Sequence, residues 1–248
     1  MKPATTKENL KPQIDEIMFE VDSVNTFYGK AQVLFDLNFV VSRGEVVVLL
    51  GRNGAGKSTT FKSIMGIVPP ASGRITFNGT AIQDLPPHQT CGLGLGYVPE
   101  DRRIFTKLTI MENLEVGRQP SRSGFDPWTP ARLTELFPNL GEKPHQFGGH
   151  LSGGEQQMLT IARSLMGNPE LIILDEPSEG LAPVIVDQLA QTIFKLKAQG
   201  VSVILAEQNL NFARFVCDRA YIIQQGRICY ESSGAELPRV ILEKYLSI

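Results

Sequence analysis

The stretch EVVVLLGRNGAGKST, Glu45 to Thr59, constrains the fold more than any other. From Val46 to Leu50 it carries no polar side chain, the pattern of a strand buried on both faces of a parallel sheet. Its second half matches G-x-x-x-x-G-K-[ST] and leads into a helix expected over about Lys57 to Gly66. Strand, glycine loop and helix in that order form a phosphate cradle. Gly51, Gly54 and Gly56 let the chain turn its N–H groups onto one anion, while Arg52, Asn53 and Ala55 fill out the loop. Ser58 and Thr59 open the helix, whose N-terminus also favours negative charge. Lys57 is expected to reach the β- and γ-phosphates of a nucleotide, and the Ser58 hydroxyl to ligate Mg²⁺.

A complement lies downstream in LIILDEP. This is a second apolar strand, Leu171 to Asp175, and Asp175 at its end offers a carboxylate to the Mg²⁺ shell. The adjacent Glu176 is expected to orient and deprotonate an attacking water. Two neighbouring carboxylates there are costly unless a cation or polar partners offset them.

A chain of 248 residues holds one large α/β domain, or such a core with an inserted subdomain. Its net charge of -2 supplies no field that would gather nucleic acid, so none is expected as a partner. Cys91, Cys217 and Cys229 are odd in number, widely spaced and without a CxxC pair, which suggests reduced thiols in a cytosolic protein. No apolar run approaches the roughly 20 residues that span a bilayer. The opening MKPATTKENLKPQ lacks the apolar core of a signal peptide, and residues 1–14 read as a disordered tail.

The runs IMFEV, VLFDLNFVV and SGRITF are β-like and separated by turns at Tyr28-Gly29 and Arg43-Gly44. Between about 101 and 168 the pattern becomes helical, with a capping box at Thr109-x-x-Glu112, a short helix around ELF (Glu135 to Phe137) and a turn-rich QPSRSGFDPWTP between them. A helix over about Val184 to Gln199 separates LIILD from a further core strand, VSVILAE, and AYIIQQGRICY reads as a hairpin turning at Gln225-Gly226. No motif recurs, so the chain carries a single nucleotide domain.

LSGGEQQ, Leu151 to Gln157, supports two readings. Ser152-x-x-Glu155 is a capping box, and Met158, Leu159, Ile161, Ala162, Leu165 and Met166 give the following helix an apolar face. That reading is purely structural. Yet Gly153 and Gly154 each destabilise a first turn by roughly 1 kcal/mol relative to alanine, and bare backbone at a helix N-terminus suits a close anion. Residue pattern leaves both readings open.

Taken together and in this order, GRNGAGKST, LSGGEQQ and LIILDEP resemble the ATP-binding cassette (ABC) ATPases over nearly the whole chain from about Ile17. The resemblance implies an α/β fold: a RecA-like P-loop NTPase core with an N-terminal antiparallel β subdomain and an inserted α-helical subdomain, occupying residues 15–248. It implies ATP and Mg²⁺ as ligands, and a head-to-tail pair in which Ser152, Gly153, Gly154 and Glu155 of one chain close over ATP held by Lys57 of the other. It places Tyr28 against adenine, with simple packing as the alternative.

Three residues depart from the usual pattern. Glu100 in GYVPEDRRIF replaces a glutamine that touches Mg²⁺ or its water; Ala182 in SEGLAP replaces an aspartate that crosses the interface; Gln208 in ILAEQN replaces a switch histidine. Gln208 can donate a hydrogen bond toward a γ-phosphate but cannot titrate. His88, His145 and His150 lie in loop-like stretches and read as surface residues. With VPEDRRIF and DEPSEGLAP these departures resemble ATPase subunits of branched-chain (hydrophobic) amino acid importers, urea importers being similar. That implies a peripheral place on the inner membrane face, a second and often non-identical ATPase, two permease subunits docking on the 101–168 region, and indirectly an extracytoplasmic solute-binding protein. A soluble cassette unconnected to transport and a non-hydrolysing regulator are the alternatives from other classes.

Overall fold

A computed structural model describes residues 17–122 and 126–234, so the tail expected at 1–14 lies outside the described residues. The chain opens with a hairpin of β1 (Ile17–Tyr28) and β2 (Ala31–Ser42), then enters β3 (Val46–Leu50) and, after the glycine loop, α1 (Lys57–Ile64). There follow β4 (Ser72–Phe77), β5 (Thr80–Ala81), α2 (Pro87–Leu93) and β6 (Leu95–Val98). The helical stretch comprises α3 (Ile110–Val116), α4 (Pro130–Leu136), α5 (Pro138–Gly141) and α6 (Gly153–Leu165). The remainder is β7 (Leu171–Asp175), α7 (Pro183–Ala198), β8 (Ser202–Glu207), α8 (Leu210–Val216), β9 (Arg219–Gln224) and β10 (Arg227–Ser233).

Two sheets result. One is antiparallel, in the order β2-β1-β4-β5; the other runs β10-β9-β3-β8-β7-β6, with β9, β3, β8, β7 and β6 parallel and β10 antiparallel at the edge. Every residue of β3, β7 and β8 is buried, as continuous apolar runs require when both sheet faces are covered. Alternation then splits the core. Val46, Val48, Leu50, Ile172, Leu174, Val203 and Leu205 pack toward α6, α7 and α8. Val47, Leu49, Leu171, Ile173 and Ile204 face Phe61 and Ile64 of α1, its C-cap Met65 and the antiparallel sheet.

Register decides where chemistry can occur. β3 lies beside β8 with Leu50 opposite Glu207, and β8 lies beside β7 with Ala206 opposite Asp175. Gly51, Gln208 and Glu176 therefore leave neighbouring strands at the same carboxyl edge, where open α/β sheets gather ligand groups. The short elements β5, α2, β6, α5 and α8 have no counterpart in the sequence pattern, and α2 carries His88, exposed but helical rather than in a loop. His145 and His150 are exposed as expected. Among the described residues no helix is long and apolar enough to cross a membrane.

Candidate active site

The glycine loop is shaped by what a side chain would strike. A Cβ on Gly51 would sit 2.7 Å from the Ile223 carbonyl oxygen, and Gly54 and Gly56 adopt φ of 77° and 113°. The loop is pinned from outside by Gly226, at the β9–β10 turn, whose N–H donates to the Ala55 carbonyl and whose own carbonyl accepts from the Phe35 N–H. Beyond making the expected turn, Gly226, with its φ of 75° and close fit against the Val33 carbonyl, is part of the loop's support.

Lys57 is 3% exposed, and its Nζ donates to the Gly51 and Arg52 carbonyls at 2.7 and 3.1 Å. It also pairs with Glu176 Oε1 at 3.1 Å. Glu176 follows β7 in a left-handed turn (φ 48°) that its N–H ties to the Ala206 carbonyl. Gln208 Nε2 bridges Glu176 Oε2 and Asn53 Oδ1, each at 2.7 Å. Burial alone would raise the Glu176 carboxyl. The Gln208 bond, a bond from the outer carboxyl of Glu179 and the Lys57 charge outweigh it and hold Glu176 below the ordinary range. Glu179 is correspondingly raised, first by that same bond and then by burial. Glu176 is thus held ionised and in one orientation, the state a general base requires.

Asp175 behaves oppositely. Burial raises it to about 6, despite hydrogen bonds from Ser58 Oγ at 3.1 Å and Tyr97 at 3.3 Å. Tyr97, near the end of β6, and Glu207 went unnoticed in the sequence. Glu207 is buried, receives the Ser178 N–H at 3.1 Å and the Asn209 N–H at 3.3 Å, and so joins the loops that carry Glu176 and Gln208. Its sequence signal was slight: one carboxylate closing an apolar strand.

The donor set fits magnesium held through a substrate. Mg²⁺ usually takes one or two carboxylates and completes its shell with phosphates and water. Ser58 and Asp175 adjoin one another, Glu100 is near enough to raise Asp175, and among the described residues no cluster of three or more His, Cys, Asp or Glu side chains could hold an ion unaided.

Ser152 caps α6: its Oγ accepts the Glu155 N–H at 3.3 Å and Glu155 Oε2 accepts the Ser152 N–H at 2.8 Å. Lys143 pairs with the other Glu155 oxygen at 3.0 Å. Gly153 and Gly154 keep free N–H groups among the described residues. Gly154 has a packing reason as well, because a Cβ there would lie 3.0 Å from two carbons of Ile185 in α7. Its bareness is thus in part a helix contact, as the structural reading of the motif allows. Ala182 precedes α7 and gives its N-terminus no side-chain cap. Tyr28 pairs with Ala31 at the tip of the β1–β2 hairpin and is 46% exposed. The fold therefore brings together Asn53, Lys57, Ser58, Asp175, Glu176 and Gln208. No hydrogen bond or ion pair among the described residues joins them to Ser152–Glu155.

The family profile described as ABC transporter matches residues 34–179, spanning the loop, Ser152–Glu155 and both carboxylates. The chain belongs to the ABC transporter family. It is similar to the high-affinity branched-chain amino acid transport ATP-binding protein BraG of Pseudomonas aeruginosa, 44% identical over 89% of this chain and 94% of that protein. It also resembles the lipopolysaccharide export ATP-binding protein LptB of Haemophilus influenzae, 37% identical over 81% of this chain and 84% of that one. Among solved structures, the ADP conformation of MJ1267, an ATP-binding cassette of an ABC transporter, aligns with TM-score 0.80 at 25% identity, covering 93% of this chain and 97% of that one. As an ABC ATPase the chain binds adenine nucleotides, hydrolyses ATP, forms dimers and works with membrane permease partners.

Proposed function

We propose that this chain drives import of branched-chain or other hydrophobic amino acids, as the nucleotide-hydrolysing subunit of a transporter on the inner face of the cell membrane. The identity with BraG carries the solute assignment. In this reading Lys57 and the N–H groups of residues 51–59 hold the ATP phosphates, Tyr28 stacks on adenine, and Ser58, Asp175 and Glu100 hold Mg²⁺. When bound, that ion neutralises charge developing on the transferred phosphoryl group. Glu176 takes a proton from the attacking water, and Gln208, fixed to Asn53, orients the carboxylate that does so. Ser152, Gly153, Gly154 and Glu155 complete the site on a partner chain, so closure requires two cassettes, whether identical or not. Permease helices docked on the 101–168 region move with that closure, and the extracytoplasmic binding protein meets only the permease.

The test is uptake. Vesicles carrying the assembled transporter are expected to accumulate labelled leucine, isoleucine or valine with MgATP, and to lose this when the chain carries Glu176→Gln. Accumulation of urea, or none of any solute alongside intact ATP hydrolysis, would overturn the amino-acid assignment.

A further inference from the structure

Directly after Glu100 the chain makes an unusual turn. Arg102 and Arg103 are consecutive non-glycine residues at φ of 59° and 50°, a conformation that persists only where the surroundings hold it. Here they do. The Arg102 N–H donates to the Pro99 carbonyl at 3.0 Å, and the Arg102 carbonyl accepts from Thr160 Oγ1 at 3.0 Å and Arg163 Nη2 at 3.4 Å. Arg103 is drawn aside by the Asp101 carboxylate.

That turn lays the Arg102 side chain along α6. Its backbone meets Thr160, its Nε donates to Gln157 Oε1 at 3.2 Å, and its Nη1 lies 3.0 Å from where a Cβ on Gly153 would be. Residues 153, 157 and 160 follow one helical stripe, so the side chain runs from the third turn toward the first. Gln157 is 3% exposed and anchors the guanidinium at Nε. Neither Nη1 nor Nη2 makes a hydrogen bond or ion pair among the described residues, and neither is a buried orphan. The result is a fixed fork whose two free amino groups lie at the exposed Ser152–Gly153 edge. Guanidinium forks match phosphate oxygens in both charge and shape.

We infer that Arg102 is a nucleotide-binding residue acting across the dimer, donating from Nη1 and Nη2 to the terminal phosphate of the ATP held by the partner chain. This rests on the reading in which residues 152–155 face the partner's nucleotide. Arg102 adds to that edge a positive charge that is not already paired, since Lys143 is engaged by Glu155.

The experiment uses the full chain in a Glu176→Gln background that retains ATP, alone and mixed with its partner cassette. Sedimentation is followed as ATP is titrated. Arg102→Gln is expected to raise the ATP concentration for half-maximal association at least about tenfold, the scale of one charge-assisted hydrogen bond. Arg102→Lys, with charge but no fork, is expected to fall between the two and carries the test if the glutamine variant unfolds. ATP affinity of the dilute monomer and ADP affinity should not change, because Arg102 serves the other chain's site and its terminal phosphate. Association at the parent's ATP concentration would overturn the inference while leaving the paired reading intact. So would an equal loss of monomer affinity, which would assign Arg102 to its own site. A parent that never associates with ATP would overturn the paired reading, and the role of Arg102 with it.

Discussion

Asp175 is the residue at which stability and function oppose each other most clearly. It is 1% exposed, and burial raises its carboxyl from 3.8 to about 6. Folding therefore favours the neutral acid. The stabilising contribution is complete below about pH 4 and is lost as pH rises through 6, because ionising the buried group then opposes the fold. A shift of about two units corresponds to about 3 kcal/mol at pH 7.5, falling to about half of that at pH 5. Asp175→Asn removes the charge and keeps an acceptor for Ser58 Oγ, while its amide can donate to the Tyr97 oxygen. With about 1 kcal/mol conceded for imperfect hydrogen bonding, the variant is expected to be about 1–3 kcal/mol more stable than the parent at pH 7.5 without nucleotide or metal. Urea unfolding from pH 5 to 7.5 measures this directly, and the gap should narrow toward pH 5. Adding MgATP should stabilise the parent more than the variant, whose hydrolysis is abolished. A less stable variant at pH 7.5, or a gap independent of pH, would refute the reasoning.

Other substitutions probe the neighbouring contacts. Lys57→Ala should weaken ATP binding about tenfold or more by equilibrium titration, since charged hydrogen bonds contribute about 1.5–3 kcal/mol; unchanged affinity would exclude the phosphate role. Gln208→Ala frees the Glu176 carboxylate and should lower kcat about ten- to a hundredfold with little change in KM, the scale of a disturbed general base. Its pH profile should lose no inflection near 6.5, because an amide does not titrate. Gly226→Ala should destabilise the fold by about 3 kcal/mol or more, from a Cβ driven into the Val33 carbonyl at positive φ. Thermal unfolding and ATP affinity should fall together, since Gly226 also anchors Ala55.

How far the sequence was legible follows from the range of its signals. The continuous apolar runs of β3, β7 and β8, the glycine loop and both capping boxes are local patterns, and each appears where it was expected. Elements of a few residues, such as β6 and α8, carry too little periodicity to stand out from loops. Tyr97 illustrates the difficulty: it meets Asp175, 78 residues away, only because β6 pairs with β7. The supporting roles of Glu207 and Gly226 are hidden for the same reason, lying in contacts with distant loops. Gly154 shows why the motif alone leaves its two readings open: the Ile185 contact exists only with α7 in place. Arg102 carries no local signal of its role, because only the left-handed turn lays its side chain onto α6.

The central claim is that Lys57 of one chain and Ser152 of another form one catalytic site. It is tested most directly by ATP hydrolysis in pairs assembled from differently tagged chains. With Lys57→Ala on one chain and Ser152→Glu on the other, both lesions fall in one site and the second is untouched, so hydrolysis should persist. With both substitutions on the same chain and none on its partner, each site contains one lesion and hydrolysis should cease. The opposite result, activity when both lesions share a chain and none when they are separated, would contradict the account.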